Sequence, residues 1–89
     1  MIDEVKEMKD SELLKRIVID PEIMVGKPVI KGTRITVEYI LNILSHGQTI
    51  EEILEEYDGL TKNDILACIL YASCMLNKSD VYPLEVRAV

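Results

Sequence analysis

Several residue types are missing or scarce in this chain. It contains no Trp and no Phe, one His and two Cys among 89 residues. Because the two largest apolar side chains are absent, a core must be built from Ile, Leu and Val with some Met and Tyr. Apolar residues still make up 48% of the chain, which is typical of a globular protein and not of a disordered one. A chain of this length supports one modest core, so we expect a single domain over residues 1–89.

The scarcity of His and Cys excludes most catalytic and metal-binding arrangements. His46 is the only imidazole, and Cys68 and Cys74 do not form a Cys-x-x-Cys pair, so no ligand set has zinc spacing. A Ser-His-acid or Cys-His set could arise only by chance around this one His. Six residues along a helix rise about 9 Å, which is beyond the reach of a disulfide, so we expect two free thiols. We therefore expect no enzymatic activity, no cofactor, no metal and no small-molecule substrate.

A long hydrophobic run is also missing. The most apolar stretch, residues 65–76, is shorter than the ~20 residues that a membrane-spanning helix needs. The first residues carry mixed charges and lack the apolar segment of a signal peptide. We expect a cytoplasmic protein that does not contact membranes.

Positive charge is absent from the middle of the chain. The formal net charge is −6, and residues 38–60 hold six acidic residues but no Lys or Arg. This pattern is unfavourable for a nucleic-acid binder, whose affinity comes largely from cationic contacts to phosphate. One locally basic stretch does occur, at Lys27, Lys31 and Arg34. By charge alone, an interaction module is slightly favoured over a DNA-binding protein.

The first part of the chain predicts short extended segments after an N-terminal arm. Residues 1–15 fit a frayed arm and a weak amphipathic helix equally well. Residues 16–36 contain three short β segments, at 16–20, 28–30 and 34–36. Lys31 and Gly32 lie between the last two, where Gly can supply the positive φ of a tight turn. Gly26 belongs to the same turn-rich region, whose residue order is not that of a phosphate-binding loop.

Residues 37–77 predict a core of three helices. The first has apolar residues at helical spacing between a Thr36 N-cap and Gly47. The second begins at Thr49, which forms a capping box with Glu52. The third begins at Thr61 and is apolar around most of its circumference. Residues 78–89 predict an extended, half-apolar tail that is available for docking.

The apolar third helix predicts an interface. Two short helices can hardly cover a helix that is apolar on more than one side. We therefore expect part of it to contact the N-terminal strands, the tail or a second subunit, the last of these in a homodimer. The candidate interface residues are Ile69, Leu70, Tyr71, Met75 and Leu76.

Residues 17–37, with the run Gly-Lys-Pro-Val-Ile-Lys-Gly-Thr-Arg at 26–34, closely resemble the opening of the prokaryotic domain of unknown function 433 family. Residues 46–54, 57–61, 64–65 and 71–72 match later parts of the family pattern in order. The resemblance implies a homeodomain-like helix-turn-helix fold. It also implies the antitoxin of a VapBC-like toxin–antitoxin pair, which binds a PIN-like ribonuclease toxin and its own promoter DNA.

Under this interpretation, basic and polar residues beside the helices are the candidate nucleic-acid contacts. These residues are Lys27, Lys31, Thr33, Arg34, Lys62 and Asn63. Gly26 and Gly32 shape the turns that present them. A homodimer would bring two basic turns together and could outweigh the nearby acidic residues. The alternative is a homo-oligomeric protein-interaction module that does not bind DNA.

Overall fold

The computed structural model describes residues 9–78. Within this range the chain is mainly helical, with one small antiparallel sheet, as predicted. The elements in chain order are α1 (Asp10–Leu14), β1 (Ile17–Val18), β2 (Val29–Ile30), α2 (Val37–Ser45), α3 (Ile50–Glu56) and α4 (Lys62–Lys78). Most of the predicted arm, residues 1–8, and the predicted tail from residue 79 onward lie outside the described residues.

The helix α1 is short and lies against α4. Its two apolar residues, Leu13 and Leu14, are half-buried, whereas Asp10 and Glu12 are exposed. The N-cap is Lys9, whose side chain forms no capping hydrogen bond. The helix α1 is therefore held by packing against α4 and not by a side-chain cap.

The sheet is smaller than predicted. Ile17 pairs with Ile30 and Val18 with Val29, but the expected third segment at 34–36 contributes only an isolated bridge from Thr36 to Val29. The reason is local. The Thr33 hydroxyl accepts a hydrogen bond from the backbone N–H of Ile35 and donates one to the carbonyl of Ile30, which bends the chain. The helix α2 then begins directly after its N-cap Thr36, before a longer pairing can form.

The predicted helix caps of α2 and α3 are confirmed. The Thr36 hydroxyl accepts a hydrogen bond from the backbone N–H of Tyr39 at 3.0 Å. Thr49 and Glu52 form the reciprocal capping box at the start of α3. Gly47 follows α2 with a φ of +97°, a backbone conformation that glycine adopts without steric cost. These caps satisfy backbone groups that the helix ends leave unpaired.

The core lies where α2, α3 and α4 meet the sheet. Its residues are Ile30, Val37, Ile40, Ile53, Ile65 and Cys68. Each fully buried Ile contributes about 1.5–3 kcal/mol relative to exposure, so this aliphatic cluster replaces the missing Phe and Trp. In the part of the chain that the structure describes, no helix combines the length and apolarity needed to cross a bilayer.

A left-handed turn lies between the strands and was not predicted from the sequence. Met24, Val25 and Gly26 have φ values of +49°, +53° and +81°. Val rarely adopts positive φ because its branched Cβ crowds the backbone. The Val25 side chain is 89% exposed, so no buried contact of that side chain offsets the strain.

Candidate functional site

The N-terminus of α4 is fixed by a buried carboxylate. Asp64 is 7% exposed, and its carboxylate accepts hydrogen bonds from the Arg16 guanidinium at 3.0 Å and from the Thr61 backbone N–H at 2.9 Å. The Thr61 hydroxyl accepts in return from the backbone N–H of Asp64. The ion pair therefore joins the segment before β1 to the start of α4 and compensates the charge of Asp64.

The first turn of α4 presents two of the candidate nucleic-acid residues. Lys62 is exposed and Asn63 is half-exposed. Asp64, which follows them directly, points inward to Arg16. The carboxylate that directly follows these two residues is therefore already paired with a cation.

The other candidate nucleic-acid residues lie in the turns before α2, where some are already paired and others are not. Lys27 forms an ion pair with Glu38 at 3.2 Å, and the Thr33 hydroxyl is engaged in the turn. Lys31 and Arg34 are exposed, and within residues 9–78 neither takes part in an ion pair. Gly26 and Gly32 both have a φ of +81°, so both occupy turn positions that favour glycine.

The helix α3 carries an acidic outer face. Glu51, Glu52, Glu55 and Glu56 are all exposed, while Ile53 faces the core. Glu52 belongs to the capping box, and Glu56 accepts a hydrogen bond from the Gln48 side chain at 3.1 Å. This face would repel phosphate and attract a basic surface.

A groove separates the turn after β2 from the end of α3. We call it the acidic groove, and it is lined by residues 31–33, 35 and 55–60. Its apolar floor consists of Ile35, Tyr57 and Leu60, which also pack against the core. Acidic residues lie on one side, whereas Lys31 lies on the other. The groove is therefore apolar at its base and negatively charged on balance.

The Tyr57 ring is positioned by Tyr39. The two rings pack edge to face with centroids 6.2 Å apart and planes at 88°, and their hydroxyls are hydrogen bonded. This hydrogen bond is the main cause that raises the pKa of Tyr57 to about 12, with burial, Tyr39 and Glu56 adding to it. Tyr57 is therefore a neutral, fixed aromatic surface at neutral pH.

The predicted interface residues on α4 differ in exposure. Ile69, Met75 and Leu76 are exposed by 42%, 45% and 57%. Leu70 is half-buried, and Tyr71 packs against the core. Three apolar side chains in the C-terminal half of α4 are therefore exposed in the described part of the chain, whereas Tyr71 contributes to the fold.

The reactive side chains identified in the sequence, Cys68 and His46 among them, do not form a common site in the described part of the chain. Burial raises the pKa of the Cys68 thiol to about 12, with Asp64 adding to the shift. His46 is exposed after α2, and its Nδ1 lies 2.8 Å from the carbonyl oxygen of Asn42. Among residues 9–78, no group of three His, Cys, Asp or Glu side chains could hold a metal ion.

Two features of this region are absent from the sequence prediction. The Arg16–Asp64 ion pair joins residues 48 positions apart, and the acidic groove combines two separate segments. Only the mixed charge and apolar character of residues 55–60 could have indicated such a groove.

Comparisons with known proteins agree with this fold. Residues 17–72 match the family described as protein of unknown function (DUF433). An uncharacterized protein of Archaeoglobus fulgidus is 64% identical over 25 residues, which are 28% of this chain and 69% of that protein. The crystal structure of a DUF433 member from Anabaena variabilis superposes with a TM-score of 0.67 and 29% identity, covering 76% of this chain and 67% of that chain. The chain therefore belongs to the DUF433 family.

Proposed function

We propose that this protein is the antitoxin of a VapBC-like toxin–antitoxin pair. In this role it binds a PIN-like ribonuclease toxin and its own promoter DNA, and it performs no catalysis itself. The observation that carries the proposal is the division of charge on the three-helix unit. The acidic face of α3 is exposed, whereas Asp64 at the start of α4 is paired with Arg16. One surface suits a basic protein partner, and another leaves its cations available to phosphate.

The DNA-binding surface combines the turn before α2 with the first turn of α4. Lys31, Arg34 and Lys62 are exposed, and Asn63 is partly exposed. The arrangement resembles helix-turn-helix proteins, in which the N-terminal part of the second helix of the motif faces the major groove and flanking groups contact phosphates. Here α3 and α4 take the places of the two helices. A dimer would double the number of cations that face the duplex.

Titration with salt tests the DNA-binding part. Binding to the DNA upstream of the protein's own gene is measured by fluorescence anisotropy between 50 and 200 mM salt, the range where phosphate contacts strongly affect affinity. Lys62→Gln should reduce the slope of log K against log[salt] by about 0.9. Lys9→Gln removes an exposed cation outside this surface and should leave the slope unchanged. A wild-type slope near zero, or no binding at 50 mM salt, would refute DNA binding.

Co-purification tests the toxin-binding part. The chain is co-expressed with a PIN-like nuclease encoded beside its gene, and only one of the two proteins carries a tag. We expect a stoichiometric complex by size-exclusion chromatography and inhibition of the nuclease by the chain. Two proteins that elute separately, with unchanged nuclease activity, would contradict the antitoxin role.

A second candidate function is a homo-oligomeric interaction module that does not bind DNA. The exposed side chains of Ile69, Met75 and Leu76 on α4 favour it, because apolar surface of this kind is typical of interfaces. Sedimentation equilibrium decides its oligomeric part. Ile69→Glu should convert an oligomer to a monomer, whereas Asn42→Glu adds the same charge at an exposed position of α2, away from this surface of α4. A monomeric wild type would exclude this candidate.

A further inference from the structure

We propose that the acidic groove is the docking site for a basic segment of a partner protein. An Arg or Lys side chain of that segment would lie against the Tyr57 ring and between the carboxylates of Glu55 and Asp58. The inference rests on the proposed function in one respect: it names the surface through which an antitoxin of this kind captures its partner. The floor, the edges and the charge of the groove each support it.

The floor of the groove offers an apolar surface with one aromatic ring. Ile35, Tyr57 and Leu60 are half-buried and pack against the core, and they also line the groove, so the apolar surface they offer there is fixed. An Arg or Lys side chain can place its aliphatic stem on such a surface while its charged end stays at the edge. A cation over the face of a Tyr ring gains further attraction from the ring electrons.

The edges of the groove are preformed. On one side, the Thr33 side chain holds the turn that contains Gly32 through hydrogen bonds to Ile30 and Ile35. On the other side, Gly59 has a φ of +91°, and the backbone N–H of Leu60 donates to the carbonyl of Tyr57. A site that is already ordered loses little conformational entropy when a ligand binds.

The charge of the groove selects a basic occupant. Three carboxylates, from Glu55, Glu56 and Asp58, line it together with one cation, Lys31. Glu56 is held by Gln48, whereas Glu55 and Asp58 form no ion pair within the described residues. The carboxylates of Glu55 and Asp58 are exposed and remain available to cations of a partner. Complementary charge favours encounter with a basic segment and disfavours an acidic one.

NMR titration with a defined peptide tests this assignment. The probe is a 12-residue peptide with blocked ends that alternates Arg and Leu, and its control replaces every Arg by Glu. In ¹⁵N-labelled protein, the basic peptide should shift the amide signals of Ile35, Tyr57 and Leu60, and the acidic peptide should not. Shifts centred on another surface, equal binding of both peptides, or no binding at millimolar peptide would overturn the proposal.

Charge-neutral variants make the test specific to the groove. Glu55→Gln with Asp58→Asn should weaken binding of the basic peptide about fivefold to tenfold, because each exposed ion pair contributes modestly to the binding free energy. The matched control, Asp10→Asn with Glu22→Gln, removes the same charge from exposed positions that neither line the groove nor belong to the acidic face of α3. It should change the affinity less than about twofold. Equal losses in the two double variants would show nonspecific attraction and refute the assignment.

A variant at Lys31 distinguishes a failure of the groove assignment from a failure of the proposed function. Lys31→Gln removes from the groove a charge that repels the basic peptide. It should strengthen binding of that peptide about twofold and weaken binding of DNA. Unchanged or weaker peptide binding would contradict the groove assignment alone. A wild-type protein that does not inhibit the toxin, or does not bind DNA, would contradict the proposed function without affecting the peptide results.

Discussion

Removal of the Asp64 carboxylate should destabilise the protein far more than removal of an exposed carboxylate. Asp64→Ala deletes the hydrogen bond that caps the start of α4, worth about 1 kcal/mol. It also deletes the partly exposed ion pair with Arg16, worth up to about 1 kcal/mol. The half-buried Arg16 guanidinium then loses its partner at a penalty of about 1 kcal/mol. We expect a total loss near 3 kcal/mol in the free energy of unfolding.

Urea unfolding followed by far-UV circular dichroism at pH 7 measures this loss. Asp58→Ala, at an exposed position without an ion pair in the described residues, is the control and should stay within about 0.5 kcal/mol of the wild type. A cycle of Arg16→Gln and Asp64→Asn should give a coupling energy near 1 kcal/mol. Equal losses for Asp64→Ala and Asp58→Ala, or a coupling energy of zero, would refute the structural role of the pair.

Three further predictions concern local features of the fold. Thr49→Ala removes the capping box with Glu52 and should lower the free energy of unfolding by about 1 kcal/mol in the same urea assay, whereas exposed Ser11→Ala should have little effect. Because the pKa of Cys68 is raised from 9.0 to about 12 in the folded state, its contribution to stability is complete below pH 9 and is lost as the pH rises toward 12. Cys68→Ala should therefore flatten the stability profile between pH 9 and 11, and Cys74→Ala should not; parallel profiles for the two variants would contradict the assignment. Val25→Asn should stabilise the protein by about 0.5–1 kcal/mol in thermal unfolding, because Asn tolerates positive φ better than Val; a lower melting temperature would show that Val25 is not strained.

The sequence predicts best those features that depend on neighbouring residues. Thr36 and Thr49 mark helix starts because their hydroxyls accept hydrogen bonds from backbone groups three residues later. Gly47 marks a helix end because positive φ is most accessible to glycine. The buried faces of the helices follow from apolar spacing, so Ile40 and Ile53 can be assigned to the core in advance.

Features that depend on tertiary contacts could not be predicted in the same way. The pairing of Arg16 with Asp64 depends on where α4 lies relative to β1. The pairing of Lys27 with Glu38 likewise requires the turn and α2 to come together. Pattern also fails at Val25, because its β-branched side chain predicts an extended backbone while the structure has a left-handed turn.

The DNA-binding surface and the acidic groove share Lys31. Because of this, a change of charge in the groove should alter the affinity for DNA. Glu55 and Asp58 line the same groove as Lys31 and reduce its attraction for phosphate. At separations near 10 Å in water, each such carboxylate weakens a phosphate contact by about 0.4 kcal/mol before screening by salt. A basic segment in the groove compensates both carboxylates, so saturating Arg-Leu peptide should strengthen DNA binding about twofold to fourfold. By linkage, DNA should strengthen peptide binding by the same factor.

Anisotropy titrations with and without peptide measure the effect, and Glu55→Gln with Asp58→Asn should abolish it. Competition between peptide and DNA would instead show that the two ligands overlap sterically at Lys31.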